Sequence, residues 1–445
     1  MSEDNGNPLH HAALNGQTSR LELLLASGAS TEARDEDGNT PLHLAVWKNH
    51  SNVVELLLDK GASIHARNIY INTPLHLAVW NGHTGIAELL LGKGASIEPP
   101  NQRNNTPLHL ATLKSHTGMV ELLLGKGAST EPICQNRYTP LHLATRRGNA
   151  GAVELLLKKG ALIQAVIRGD TSLHLAARYG HTSVVEILLG NGALIGAMNE
   201  YNSTPLHSAA CIGHTGLVEL LLRHGASIEA IDIRAWTPLH IAAHSGHTGV
   251  AELLIEKGAS IEAKDDSPMH LASQQGHAGV LELLLKKGAS IQAMNKYGST
   301  SLHLAAMYGH TGVVQLLLRS GALIETMNCF GETPLHCAIS GGHTGVVELF
   351  LEEGASIEVM NQENNTTPLH LAAQNGYTAI VELLLEKGAS IEVTNKDNNT
   401  PLHLATQNSH TDIVQLLKNT SADPLSTKSW ELRDCRGVKR RWGID

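Results

Sequence analysis

One histidine recurs thirteen times along this chain of 445 residues, at His10, His43, His76, His109, His142, His174, His207, His240, His270, His303, His336, His370 and His403. The steps between copies are 33, 33, 33, 33, 32, 33, 33, 30, 33, 33, 34 and 33 residues. A period this regular means one supersecondary unit, duplicated, that buries its apolar face only against its neighbours. Composition agrees where it bears on the core. Aromatic residues make up 3% of the chain and only two are Phe, whereas a large globular core is normally filled with rings. The core is therefore thin and made of Leu, Ile, Val and Ala.

A single copy, residues 72–95, shows what each position does. Thr73 reads as a helix N-cap and Pro74 as N1, where the missing N–H costs nothing. Leu75, Leu77 and Ala78 give a short apolar face, and Gly82 ends the helix in a left-handed conformation. A second helix runs through Ile86-Ala87-Glu88-Leu89-Leu90-Leu91 and stops at Gly94, after which Ser96-Ile97-Glu98 leads out as a loop. Across the copies the N-cap is always Thr, Ser or Asn, and N1 is Pro except at Ser172 and Ser301. The residue two after the histidine is Ala in every copy, from Ala12 to Ala405. A site that never exceeds a methyl group predicts close helix–helix approach.

Thr40-Pro41-Leu42-His43-Leu44-Ala45 and Thr400-Pro401-Leu402-His403-Leu404-Ala405 resemble the hallmark of the ankyrin repeat, Thr-Pro-Leu-His-x-Ala at a period of ~33. The resemblance implies a mostly α solenoid of stacked antiparallel helix pairs, each with a β-hairpin or loop finger projecting sideways. It covers an array over residues 5–422, with a non-repeat tail at 423–445. His11 stands where other copies mostly carry Leu, and Lys418 where the other twelve carry Leu or Ile, polar groups of the kind that end caps require. The copy around His270 lacks three residues in its finger, at 263–268, so a clipped finger is expected there, with a true linker as the competing reading.

The function classes narrow by exclusion. A formal charge of −9 argues against a general nucleic-acid binder. No apolar run approaches the ~18–20 residues that span a membrane, and the acidic start Met1-Ser2-Glu3-Asp4-Asn5 is no signal peptide. Five scattered cysteines (Cys134, Cys211, Cys329, Cys337 and Cys435) suit reduced thiols in the cytoplasm or nucleus. Of the 27 histidines, 23 fall at two repeat positions, the thirteen above and ten such as His83, His181 and His343. That duplication marks them as structural, the first set able to bond the loop backbone of a neighbouring repeat. Zinc spacing, His-Glu-x-x-His and a phosphate-binding glycine loop are all missing. The expectation is a monomeric, cofactor-free, non-enzymatic scaffold or adaptor for other proteins.

Function in a repeat array lies where copies differ. Relative to the first histidine, the resemblance implies that partners touch the finger at −7, −6 and −4 and the helix-one edge at +4 and +5. Ten of the twelve aromatic residues within the repeats lie on these positions: Tyr70, Tyr201, Tyr297 and Phe330 at −6, Tyr138 and Trp236 at −4, Trp47 and Trp80 at +4, Tyr179 and Tyr308 at +5. Exposed Trp and Tyr anchor interfaces. A blander account competes, in which bulky rings simply collect on the permissive face. The third to sixth copies also concentrate cations there: Arg67, Arg103, Lys114, Arg137, Arg146, Arg147, Arg168 and Arg178, with Asp170 the nearby acid. An acidic peptide or loop is the expected ligand of that block. The tail, with Trp430 and Lys439-Arg440-Arg441-Trp442, fits a docking cap, a recognition segment or disorder. Two further readings stand beside the scaffold: a substrate-recruiting adaptor of a ubiquitin ligase or other enzyme complex, and a membrane–cytoskeleton linker.

Overall fold

The computed structural model describes residues 7–262 and 266–422. The tail with Trp430 and Lys439 lies outside the described residues, as do residues 263–265 of the clipped finger. Within them are twenty-six helices in pairs, from α1 (Pro8–Leu14) to α26 (Thr411–Ala422). Two compact units divide the chain, at Ala235 and Trp236. In the first, the opening helices α1, α3 (Pro41–Trp47), α5 (Pro74–Asn81), α7 (Pro107–Leu113), α9 (Pro140–Arg146), α11 (Ser172–Tyr179) and α13 (Pro205–Ile212) pack each on the next. Their partner helices, from α2 (Thr18–Ala26) to α14 (Thr215–Arg223), form a second row behind them. The second unit repeats the arrangement with α15 (Pro238–Ser245) to α26.

Helix-on-helix approach is set by the small residue. Ala12, Ala45, Ala78, Ala111, Ala144, Ala176 and Ala209 in the first unit, and Ala242 to Ala405 in the second, have no exposed surface at all. Any longer side chain would force the opening helices apart and open voids in a core that tolerates few. The middle leucine of helix two, from Leu57 to Leu417 in most copies, fills the gap between the two rows.

The repeated histidine has two roles. Its Nδ1 faces the N-cap: the Thr40 amide donates to His43 Nδ1 at 3.1 Å and the Thr40 hydroxyl lies 2.9 Å away. Because Nδ1 accepts from a backbone N–H, the ring proton sits on Nε2, which donates to the Asn72 carbonyl of the next repeat at 3.0 Å. His109 to Tyr138 at 3.1 Å, His174 to Ser203 at 2.8 Å and His303 to Glu332 at 3.1 Å repeat the bond. The expected bond to a neighbour's loop is there; the closing of the helix's own N-terminus is an addition the sequence did not announce. Burial pushes the imidazoles of His43, His76, His109 and His303 down to about 4. It acts in the same direction on His142, His174, His270, His336 and His370.

The second histidine position caps helix two and ties it back. His50, His83 and His116 direct Nε2 to the carbonyls of Leu14, Trp47 and Trp80 in the preceding repeat, at 3.0, 3.1 and 3.3 Å. Tyr377 occupies this position in its copy, and its hydroxyl reaches the Ser340 carbonyl at 3.4 Å in the same way. This accounts for one of the two rings outside the variable positions; the other, Phe350, is fully buried in α22 (Thr344–Glu352).

The copy that is one residue short has a distinct finger. Val166–Ile167 pairs antiparallel with Asp170–Thr171, the one ladder among the described residues. The loop between them is Arg168-Gly169, both with positive φ (47° and 79°), as a two-residue type I′ hairpin demands. His142 Nε2 donates to the Ala165 carbonyl, 3.1 Å away, the equivalent of the Ala293 carbonyl that His270 also reaches.

Candidate protein-binding surface

Most fingers are built on an Asn or Asp side chain eight residues before the histidine; the finger of the His142 copy has Cys134 there and that of the His174 copy Val166. Asn68 accepts from the amides of Tyr70 and Asn72 at 3.1 and 3.0 Å, folding the tip into an Asx turn. Its Nδ2 donates to Asn39 Oδ1 of the preceding finger at 2.9 Å. Asn101 to Asn72 at 3.0 Å and Asn199 to Asp170 at 2.8 Å continue the same side-chain ladder. Backbone bonds also cross between fingers, from Gln102 N to the Tyr70 carbonyl and from Gln135 N to the Arg103 carbonyl, each at 3.0 Å. The recurring Asn was readable in the sequence as a signal; what it bonds to was not. With their bases tied in this way, the fingers present −6 and −4 as an ordered row.

The rings on that row stay open. Trp47, Tyr70, Trp80, Tyr179, Tyr201, Tyr297, Tyr308 and Phe330 are between 41% and 58% exposed. Tyr138 and Trp236 are half-buried, the latter with its ring centroid 5.1 Å from that of His244. The sites fall in two sets. Trp47 to Tyr201 belong to the first unit, while Trp236, Tyr297, Tyr308 and Phe330 belong to the second.

In the first unit the cations lie on the rings. Lys48 Nζ is 5.1 Å from the centroid of Trp47, and Lys114 Nζ is 3.7 Å from that of Trp80. The Arg146 guanidinium sits 5.6 Å from Tyr138 and 5.7 Å from Tyr179, joining the finger of one repeat to the helix edge of the next. Such contacts contribute ~0.5–1 kcal/mol each at exposed sites. They hold the cations in place and leave their N–H groups open to a partner. Among the described residues Arg103, Lys114, Arg146 and Arg147 have no acidic partner. Arg178 differs from its neighbours in the block: it is bound to Asp170 at 2.7 Å, so its charge is already matched.

A cleft of about 320 Å³ opens between the third and fourth repeats, lined by Tyr70, Leu77, Trp80, Arg103, Leu110 and Leu113 among others. Cys211 is exposed and Cys337 buried; burial pushes the Cys337 thiol far up, which makes it a poor nucleophile. No group of three or more His, Cys, Asp or Glu among the described residues is placed to hold a metal ion. No helix among them is long and apolar enough to cross a membrane.

A family model described as ankyrin repeats (3 copies) matches residues 1–68 and, in overlapping stretches, 75–428. The chain belongs to the ankyrin repeat family. A second model, ankyrin repeats (many copies), matches residues 52–91. No curated protein matches the chain. Among solved structures it is similar to the crystal structure of the human ASB11 ankyrin repeat domain, with 30% identity and a TM-score of 0.45, over 49% of this chain and 99% of that one. Ankyrin repeats are in general protein–protein interaction modules, and the pairs of helices, the fingers and the capping histidines here are those of an ankyrin array.

Proposed function

We propose that this ankyrin array is a non-catalytic scaffold or adaptor that binds acidic segments of other proteins along the finger and helix-edge row of its third to sixth repeats. One observation carries the reading. Four cations without acidic partners among the described residues, Arg103, Lys114, Arg146 and Arg147, share a row with the exposed Tyr70, Trp80 and Tyr179 and the half-buried Tyr138. Rings supply buried area and Arg supplies bidentate carboxylate bonds. A row of like charges is costly to desolvate unless the arriving surface is negative. The repeated histidines and glycines, by contrast, are consumed in holding the scaffold.

Affinity capture with the full chain and with the Arg146→Glu/Arg147→Glu variant tests the proposal. Both side chains are exposed, so the variant should fold as the parent does, with its stability lowered by no more than the ~1–2 kcal/mol of the two lost contacts between Arg146 and the tyrosine rings. Its acidic partners should be lost, and their binding to the parent should weaken with added salt. A partner set that the charge reversal leaves intact removes the row as the binding surface.

A further inference from the structure

We propose that the cleft between the third and fourth repeats is an anchor pocket, which takes one large apolar side chain of an extended peptide whose carboxylates bind Arg103 and Arg146. This rests on the acid-binding reading of the row and adds to it an anchor and a spacing. The volume decides what can enter. About 320 Å³ is at the low end of the ~300–1,000 Å³ of ligand pockets, room for one bulky side chain but for no folded element. Leu110 is buried and Leu77 and Leu113 half-buried, so they form an apolar floor; Tyr70, Trp80 and Arg103 are exposed and form the rim.

The chemistry of the rim selects the rest of the ligand. Arg103 lies at the cleft itself, and Lys114 rests on the face of Trp80. Arg146, on the next opening helix, is held against two tyrosine rings. A guanidinium held beside aromatic rings and without an acidic partner among the described residues keeps its N–H fork for a carboxylate, which it grips with two bonds. A neutral or basic peptide anchored in the cleft would cover these cations without pairing them; an acidic one pairs them.

Packing distances fix the spacing. Neighbouring helices lie ~8–10 Å apart, so the path from the cleft between α5 and α7 to Arg146 at the end of α9 covers one to two such steps, roughly 10–20 Å. An extended chain advances ~3.3 Å per residue. The anchor and the acidic group are therefore ~3–6 residues apart, in an order set by the direction in which the peptide runs.

The test is fluorescence anisotropy of the full chain with short fluorescein-labelled peptides. The parent carries one Trp and, within the predicted spacing, a pair of Glu; both orders are made. One control replaces the Trp with Ala and another replaces both Glu with Gln. The parent in one order should bind at least ~10-fold more tightly than either control. Trp80→Ala should erase the preference for the Trp peptide and keep the preference for Glu, and Arg146→Glu should do the reverse. Tyr70→Ala, on the same rim, checks the anchor by a second route if Trp80→Ala fails to fold. Salt-sensitive binding that is equal for the Trp and Ala peptides overturns the anchor and leaves the acid-binding row standing. Indifference to both Glu→Gln and Arg146→Glu overturns the row as well. Failure of every peptide to bind overturns the anchor.

Discussion

The buried histidines are the residues on which the scaffold depends most directly. His43, His76, His109 and His303 are neutral because burial disfavours the imidazolium, and because a backbone N–H already points at Nδ1. The unfolded chain, with ordinary imidazoles near 6.5, takes up protons that the folded one refuses. Stability is therefore fully present above about pH 6.5 and is lost as pH falls toward the folded values of about 4. The slope is ~1.4 kcal/mol per pH unit for each such histidine. Urea melts recorded from about pH 7.5 to about pH 4.5 should show midpoints that fall steeply in this window; flat midpoints would show that the imidazoles titrate alike in both states. Ile71 provides a second case. It adopts φ 60° at a finger tip, a conformation that a β-branched residue resists. Asn104, Asn202, Asn365 and Asn398 hold the equivalent place in other copies, also at positive φ. Ile71→Asn should raise stability by ~1 kcal/mol, read as a higher denaturation midpoint.

At the scale of the element, the turn between the two helices of a repeat joins one repeat to the next. Gly246 ends α15 in the left-handed region at φ +79°. A Cβ there would lie 2.6 Å from Nδ1 of His277, the residue whose Nε2 holds the His244 carbonyl at 3.0 Å. Gly246→Ala thus meets both a backbone penalty and a displaced inter-repeat bond, together ~2 kcal/mol or more. Thermal melts of the variant should show the loss; an unchanged midpoint would mean that the turn yields without cost. The fingers follow the same logic with different parts. Asn at −8 folds the tip and a side-chain ladder binds one tip to the next, so the rings at −6 are displayed rather than collapsed. The blander account of the aromatic residues, that they only avoid the core, explains why they are on this face but not why cations lie upon them.

At the scale of the whole molecule, stability is a sum of repeats and of the interfaces between neighbours. Unfolding of such a chain need not be all-or-none, and the two compact units each hold their own run of repeats. Gly246→Ala lies in the second unit, and Ile71→Asn in the first. If the units unfold separately, hydrogen exchange should register each substitution in its own unit and leave protection in the other unchanged; an equal shift throughout would show one cooperative body. The row of cations and rings at the third to sixth repeats lies wholly within the first unit, so it does not depend on how the second is held.

The period, the helix pairs, their caps and the invariant alanine were legible in the sequence, because each follows from local chemistry repeated thirteen times: Thr before Pro starts a helix, Gly ends one, and a methyl group permits close approach. The location of the aromatic residues was legible too, since spacing from the histidine assigns a face. The tertiary structure decided what those side chains meet across repeats about 30 residues apart. It matched Arg178 to Asp170 and left Arg146 between two rings, gave the histidine its second bond, and shaped the cleft beside Trp80. Periodicity fixes the face on which a side chain lies, but partners from different repeats are set by packing, and packing is what turns a repeated pattern into a particular surface.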